Sequence, residues 1–461
     1  MLSVELGAYP YVGALILLLA CFLLAVMASF RLRRRAALRL GAGLWLALFV
    51  LAGRGVLAQT KSPPASATPV GSDQASSAWP LWNAYAAHFI DPGSRVIDQD
   101  RGGITTSEGQ AYAMFFALVA NDRPRFDRLL EWTTNNLAQG DMTAHLPAWE
   151  WGHAADGNWH ILDNNSAADA DLWMSYTLIE AGRLWNVPRY RSLGIAFADL
   201  IAAREVEDIP GMGFALLPAS SGFRAADGAT LNPSYSPLPV LTGMATAMPD
   251  GPWRAMAAGL PEFLRRSSVK GFAMDWVAYS SATGFTPATL PGAASDAVPS
   301  GSYDAIRVYL WAGLAPPSML GAGALLLAVP GMNVYLASHP VPPRVVSASG
   351  AVAAADGGVG FSAALLPYLA AWGAQAKEAQ QKNRLTALLN PDSGLYGNQP
   401  HYYAQNLALF AVGWSQKRYR FRADGTLRVA WNTEQRNAGT MGSAAAEVSA
   451  PNSTANGAVT K

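Results

Sequence analysis

The sequence predicts an all-α domain built in two layers, and three observations carry that prediction. Apolar residues recur at helical spacing in segment after segment between residues 79 and 414. Some of these segments are apolar on nearly every face and need covering all round, whereas others are amphipathic. Strand-type alternation is confined to RYRFRADGTLRVAW near the end, a small β-hairpin turning at Asp424-Gly425.

In chain order, the periodicity predicts helices over 79–90, 108–120, 125–137, 168–185, 190–203, 253–266, 304–315, 360–372, 376–389 and 402–414. AYAMFFALVA at 111–120 and AALLPYLAAW at 363–372 have no polar face and belong to an inner layer. RFDRLLEWTTNNL at 125–137 carries charge on one side and suits an outer layer. No repeat is legible in the sequence, so any internal symmetry of the layers is hidden.

Composition narrows the function. Lys and Arg number 33 against 32 Asp and Glu, a net charge of +1, which argues against a nucleic-acid partner. Hydrophobic residues make up 51% of the chain, enough for a large core. The single cysteine, Cys21, excludes an intrachain disulfide framework and a four-cysteine zinc site. The 15 Trp and 16 Tyr supply core volume and also flat apolar surfaces with polar edges.

Ahead of the domain lie two apolar stretches, 11–30 and 40–53, with Arg31, Arg33, Arg34, Arg35 and Arg39 between them. The first is long enough to span a bilayer. The basic cluster, the shorter second stretch and the small residue at Val56-Leu57-Ala58 are the parts of an export signal. We read 27–58 as that signal, with translation starting at Met27; a membrane anchor retained over 1–58 is the alternative. Both put the rest of the chain outside the cytoplasm, periplasmic or secreted, with membrane contact only through this region. Residues 59–78, rich in Ser, Ala, Pro and Thr, read as a linker, and 437–461 as a disordered tail. The domain proper is 79–436.

No HExxH, P-loop or GxSxG motif is present, and the six histidines form no metal-spaced cluster. Ser362 in GFSAALLP lacks nucleophile-elbow spacing and reads as core. Acidic residues do open apolar helices at three places: Glu108 in ITTSEGQAYAMFFAL, Asp169 and Asp171 in LDNNSAADADLWMSY, and Asp304 in SGSYDAIRVYLWAG. Such acids can project into a cleft at one end of a helical barrel, where one carboxyl protonates a leaving oxygen and another activates water. A structural reading stands beside this one. Thr105-x-x-Glu108 and Ser166-x-x-Asp169 fit the capping box, and Asp304 fits an acidic first turn. The helix dipole also favours the ionised carboxylate, so a proton donor needs an apolar wall or a second acid, for which Phe115 and Asp169 are candidates.

The chain resembles the family 8 glycoside hydrolases, within them the periplasmic endoglucanase branch encoded with bacterial cellulose synthases. The matching blocks are RVIDQDRGGITTSEGQAYAMFFALVANDRPRFDRLLEWTTNNLAQG, LPAWEWG, LDNNSAADADLWMSYTLIEAGRLW, GFALLP, LNPSYSPLP, KGFAMDWVAY, SGSYDAIRVYLWAG and GFSAALLPYL, in the family's order. The resemblance implies an (α/α)6 barrel of six inner and six outer helices, and inverting cleavage of internal β-1,4-glucosidic bonds without metal or cofactor. Glu108 matches the family's proton donor, Asp304 its base, and Asp169 the acid holding the sugar at the cleavage point. The signature departs at its middle position, which is Ala168. Residues 316–358 look little like the family.

That resemblance makes a β-1,4-glucan chain the expected substrate and the cellulose synthase complex an expected partner. Trp151 is read as a stacking platform or as core, Tyr235 and Tyr303 as groups that contact sugar or position water, and Arg307, one helical turn from Asp304, as keeping that acid ionised or forming a structural ion pair with it. Asp171 reads as structural, Asp275 as cleft support or helix cap, and Glu131 and Glu180 as surface or helix-pair residues. Chitosan, xylan or mixed-linkage glucan hydrolysis on the same scaffold, and a non-catalytic polysaccharide-binding role, are the alternatives.

Overall fold

The computed structural model describes residues 79–432; the proposed signal or anchor, the linker 59–78 and the tail 437–461 lie outside them. In chain order the helices are α1 (Pro80–Phe89), α2 (Ser107–Val119), α3 (Arg123–Asn136), α4 (Ala168–Leu184), α5 (Pro188–Arg204), α6 (Leu238–Ala247), α7 (Trp253–Ser267), α8 (Ala305–Leu314), α9 (Ala322–Ala328), α10 (Gly331–Tyr335), α11 (Val359–Ala371), α12 (Gln375–Leu388) and α13 (Tyr402–Ser415).

The apolar-all-round sequences become the inner layer. Every residue of α8 is buried, as is almost all of α2 and α4. These helices pack in a closed ring: α2 on α4, α4 on α6, α6 on α8, α8 on α11, α11 on α13, and α13 back on α2. Outside it, α3 covers α2, α5 covers α4, α7 covers α6, α9 covers α8, α12 covers α11 and α1 covers α13. The result is the (α/α)6 barrel.

Outer helices carry a stripe rather than a full apolar surface. Along α5 the buried residues are Tyr190, Gly194, Phe197, Ala198 and Ile201, one face at helical period. Gly194 lets that face seat on α4, because a Cβ there would stand 2.9 Å from the Ser175 carbonyl oxygen. Gly313 does the same between α8 and α11, with an added Cβ only 2.1 Å from the Tyr368 backbone nitrogen. The inside of the ring is filled by rings from four helices. Trp173 lies 5.3 Å from Trp311 and 5.1 Å from Phe410, and Tyr112 meets Phe410 edge-on at 5.0 Å.

Two features depart from the sequence expectation. Helices α6, α9 and α10 lie outside the ten predicted segments: LPVLTGMATA of α6 is short, opens between prolines and contains Gly243, so its signal is that of a loop, and α9 and α10 are only 7 and 5 residues long. Strands are also more numerous than the single hairpin foreseen. They are β1 (Thr105–Thr106), β2 (Glu150–His153), β3 (Trp159–Asp163), β4 (Val206–Ile209), β5 (Gly213–Leu216), β6 (Arg224–Ala225), β7 (Gly228–Leu231), β8 (Trp276–Ser280), β9 (Gly284–Ala288), β10 (Ser300–Gly301), β11 (Val345–Ser347), β12 (Val352–Ala354), β13 (Tyr419–Phe421) and β14 (Leu427–Val429). They form small antiparallel sheets in the connections, ordered β1-β2-β3, β4-β5, β6-β7-β8-β9, β10-β11-β12 and β13-β14. The foreseen hairpin is β13-β14, with Arg420 opposite Arg428. Each strand is too short to raise a period-2 signal, yet several end directly at an inner helix and aim its first turn. β1 leads into α2, and β10 stands just ahead of α8.

Candidate active site

The acids open their helices without capping them. At α2 the cap is Thr106, whose hydroxyl accepts from the Gly109 N–H at 3.1 Å, so the Thr105–Glu108 capping box does not form. Ser166 does not cap α4 either. Its hydroxyl donates to Glu205 Oε1 at 2.6 Å, and Ala167 occupies the cap position. At α8 the cap is supplied from β8's neighbourhood. Asp275 Oδ1 accepts from the backbone N–H groups of Ser302, Asp304 and Ala305, at 2.7, 3.1 and 2.8 Å. Asp275 is thus both cap and cleft support, and Asp304 is released from capping. Asp169 Oδ1 still accepts from the Ala170 N–H of its own first turn at 2.8 Å, but its Oδ2 turns to the same guanidinium as Glu108 and Asp304.

They meet at Arg307. Its Nη1 donates to Glu108 Oε2 at 2.6 Å, its Nη2 to Asp304 Oδ1 at 2.8 Å, and Nη2 lies 3.4 Å from Asp169 Oδ2. The same guanidinium donates through Nε and Nη2 to Ser234 Oγ, at 3.2 and 2.9 Å. Only 3% of the Arg307 side chain is exposed. Its planar fork suits a site that must hold several carboxylates at fixed spacing. The expected pairing with Asp304 is present, and a second partner, Glu108, comes from across the ring.

Three carboxyls around one cation leave a surplus of negative charge. Burial pushes the Glu108 carboxyl up to about 7, with Asp169 and Asp304 adding to the rise and Arg307 opposing it. Burial also raises Asp169, again against Arg307. The second-acid explanation for Glu108 therefore holds through Asp169, while Phe115 packs in the ring interior against Trp173, Phe410 and Tyr419.

Aromatic side chains edge the acids. Tyr235, at the end of a one-turn 3-10 helix (Pro233–Tyr235), has the Arg307 guanidinium 5.6 Å from its ring and Trp276 at 6.1 Å. Tyr303 is 52% exposed, stands against Phe361, and its carbonyl accepts from the Tyr403 hydroxyl at 2.5 Å. A cleft of about 800 Å³ runs from there, lined by Tyr303, Phe361, Tyr396, Asn398, His401 and Tyr403. Trp151 lies on the β1-β2-β3 sheet, paired with Thr105. It is half-buried, with Trp132 edge-on at 5.4 Å and Trp159 stacked on it at 5.2 Å. The open indole of that pair is Trp159, 48% exposed.

The family model for "Glycosyl hydrolases family 8" matches residues 59–417. An endoglucanase of Xanthomonas axonopodis pv. citri (strain 306) is 43% identical over 77% of this chain and 90% of its own length. One from Escherichia coli (strain K12) is 40% identical over 79% of this chain and 94% of its own. The crystal structure of an endo-1,4-D-glucanase from Vibrio fischeri ES114 superposes with a TM-score of 0.71 at 39% identity, covering 77% of this chain and 99% of that one. The chain belongs to glycosyl hydrolase family 8.

As a family 8 glycoside hydrolase, the chain carries site residues that pattern reading passed over. Ser234 anchors Arg307 from the residue before Tyr235. Tyr403, 3.4 Å by its hydroxyl from Arg307 Nη1, opens α13 in HYYAQ. Its signal is the one that marked Asp304, a polar group at the start of an apolar helix, but in a tyrosine rather than an acid. Ser362 is core as expected, donating to Gln381 Oε1 at 2.7 Å. Glu180 is not at the surface. It is buried, pairs with Arg183, and accepts from the Leu427 N–H at 2.7 Å.

Proposed function

We propose that this family 8 enzyme is an endo-β-1,4-glucanase that cleaves internal bonds of cellulose with inversion, with Glu108 as proton donor and Asp304 as base. The observation that carries the reading is the bridging of Glu108 and Asp304 by one guanidinium at the N-terminal end of the ring. Glu108, pushed up to about 7, keeps its proton in a large share of molecules at neutral pH and gives it to the bridging oxygen. The carboxylate it becomes is received by Arg307 Nη1, so charge developing in the transition state meets a donor already in place. Asp304 binds Arg307 through Oδ1, which leaves Oδ2 for a water that attacks the opposite face of the sugar. Inversion asks the two carboxyl groups to stand roughly 6.5–9.5 Å apart, with room for the sugar and a water. Asp169, beside both, holds the distorted sugar, and Tyr235, Tyr303, Trp151 and Trp159 contact the chain along the groove.

The substrate reading draws on the endoglucanase relatives, and its test is direct. Soluble carboxymethyl cellulose should lose viscosity faster than reducing ends accumulate, and Glu108→Gln should do neither. Equal behaviour of wild type and variant ends the reading. NMR of the first product should show the α anomer; an initial β anomer refutes inversion. Parallel assays on chitosan, xylan and mixed-linkage glucan fix the linkage. For location we propose the periplasm or the outside of the cell, supported by the pattern in residues 27–58, and for role the trimming of cellulose during its export alongside the synthase complex. Fractionation with N-terminal sequencing tests the first. Loss of cellulose yield or order in a Glu108→Gln strain tests the second.

A further inference from the structure

Beneath Asp169 lies a second carboxyl pair that the reaction above does not use. Asp171, on the first turn of α4, and Glu205, just after α5, are both wholly buried. Neither oxygen of Asp171 meets a donor, and nor does Glu205 Oε2. The two side chains are nevertheless within hydrogen-bonding reach of each other. Two acceptors in reach can bond only through a proton on one of them. A buried pair of bare carboxylates without a cation is far too costly to persist.

Among the described residues, the surroundings supply no such cation. Asp169 on α4 and the pair's own members are the ionisable groups that act on either carboxyl. The groups that face Asp169 from other elements are Glu108 and Tyr112 on α2, Tyr235 in the turn before α6, and Arg307 on α8, which the three catalytic-end acids engage. On the outer side, Arg204 is exposed and Glu207 is paired with Arg224.

The pair sits where it can fix Asp169. Glu205 Oε1 accepts from Ser166 Oγ, three residues ahead of Asp169, and that hydroxyl accepts from the Ser220 N–H at 3.0 Å. The Ala168 N–H donates to the Pro218 carbonyl at 3.0 Å, and the Leu217 N–H to the Glu205 carbonyl at 2.7 Å. One glutamate thus ties the segment before α4, the first turn of α4 and the 217–220 connection.

We propose that Asp171 and Glu205 share a single proton and, through the bond it makes, act as a positioning pair that holds the Asp169 turn at the cleavage point. Burial and the charge of Asp169 push the Glu205 carboxyl up to about 8, and burial with Glu205 and Asp169 raises Asp171 as well, so the pair keeps its proton at neutral pH.

The shared proton is tested apart from catalysis, in a Glu108→Gln background that removes the catalytic carboxyl titrating near neutral pH. Infrared difference spectra at pH 7 between that protein and its Glu205→Gln or Asp171→Asn double variants should contain the carbonyl stretch of a protonated carboxylic acid. Absence of the band, or its survival in both double variants, overturns the proposal. The positioning role rests on the hydrolase reading and is measured as kcat per folded molecule at pH 6 on carboxymethyl cellulose, in an otherwise wild-type chain. Glu205→Gln keeps the bond and should retain kcat, whereas Glu205→Ala should lower it about tenfold with little change in KM. Equal kcat for Gln and Ala overturns the role. If the Ala variant does not fold, Asp171→Asn, which also keeps the bond, should match Glu205→Gln, and a collapse of kcat in either amide variant overturns it.

Discussion

Arg307 Nη1 donates to Glu108 Oε2 at 2.6 Å, yet burial holds that carboxyl at about 7. A cation so close would ordinarily drive a carboxyl down. Here one guanidinium is divided among three acids and Glu108 is largely buried, so desolvation and the two neighbouring carboxyls win. The same contact becomes useful only when Glu108 loses its proton, which is the moment of bond cleavage.

The first prediction concerns pH. Activity should fall as pH rises through about 7, where Glu108 loses its proton. Glu108→Gln should lower kcat by about 10²–10⁴ and abolish that limb. Stability moves in the same sense. Because the folded value lies above the ordinary 4.5, the contribution of this proton is full below about 4.5 and is lost as pH rises through about 7. Glu108→Gln should therefore melt higher than wild type at pH 8 and show no such gain at pH 4. Calorimetry at the two pH values checks the sign.

Replacing Arg307 should separate charge from geometry. Arg307→Met leaves Glu108, Asp169 and Asp304 with no cation, and removing one partner of a buried ionic cluster costs about 3–5 kcal/mol. Arg307→Lys restores a charge but not a fork that can bridge Glu108 and Asp304. It should recover most of the melting temperature and little of kcat. Recovery of both would mean that the bridging geometry does not matter.

Much of this was legible in advance, and the reasons differ by element. The inner helices announced themselves because a ring buried on both sides demands sequences without a polar face, as in α2 and α11. Helix α6 stayed hidden because prolines at its start and Gly243 within it look like a turn until neighbours on both sides bury it. Glu108 and Asp304 stood out as acids opening apolar helices, and the resemblance assigned their roles. The capping alternative failed at α2 within local sequence, where Thr106 stood one residue nearer, and at α8 outside it, where Asp275 reached the first turn from 29 residues away. Arg307's contact with Glu108 joins residues 199 apart, a separation at which no spacing rule operates. The Asp171–Glu205 pair was invisible for the same reason.

Asp275 gives a third prediction. Its Oδ1 serves three backbone donors and its Oδ2 accepts from Ser302 Oγ at 2.6 Å. Asp275→Ala should destabilise the fold by about 1–2 kcal/mol, as lost caps do. It should also lower kcat well beyond the loss of folded protein, because the freed turn carries Asp304. Asp275→Asn keeps an acceptor at Oδ1 and should lose less of each. A variant that lost stability with unchanged kcat per folded molecule would restrict Asp275 to structure.

The last prediction separates the two stacked indoles on the β1-β2-β3 sheet. Trp159 is 48% exposed, with Trp151 beneath it and the Arg95 guanidinium 4.9 Å from its ring. Trp151 has Trp132 edge-on and Trp159 stacked, and its strand pairs with the one that leads into α2. Where the proposed glucan path crosses it, an exposed indole remote from the bond being cleaved adds binding equally to substrate and transition state. Trp159→Ala should therefore raise KM with kcat unchanged. Loss of one stacking contact is worth about 1 kcal/mol, roughly a fivefold change in KM, with little change in melting temperature. Trp151→Ala should behave otherwise. It removes packing under Trp159 and beside Trp132, so the melting temperature should drop, and the slackened β1 strand should let Glu108 drift and lower kcat. Initial-rate kinetics on carboxymethyl cellulose and thermal melts of both variants give the two patterns. If Trp159→Ala changed kcat and left KM alone, the groove would run elsewhere, and the open indole would have no part in holding the chain.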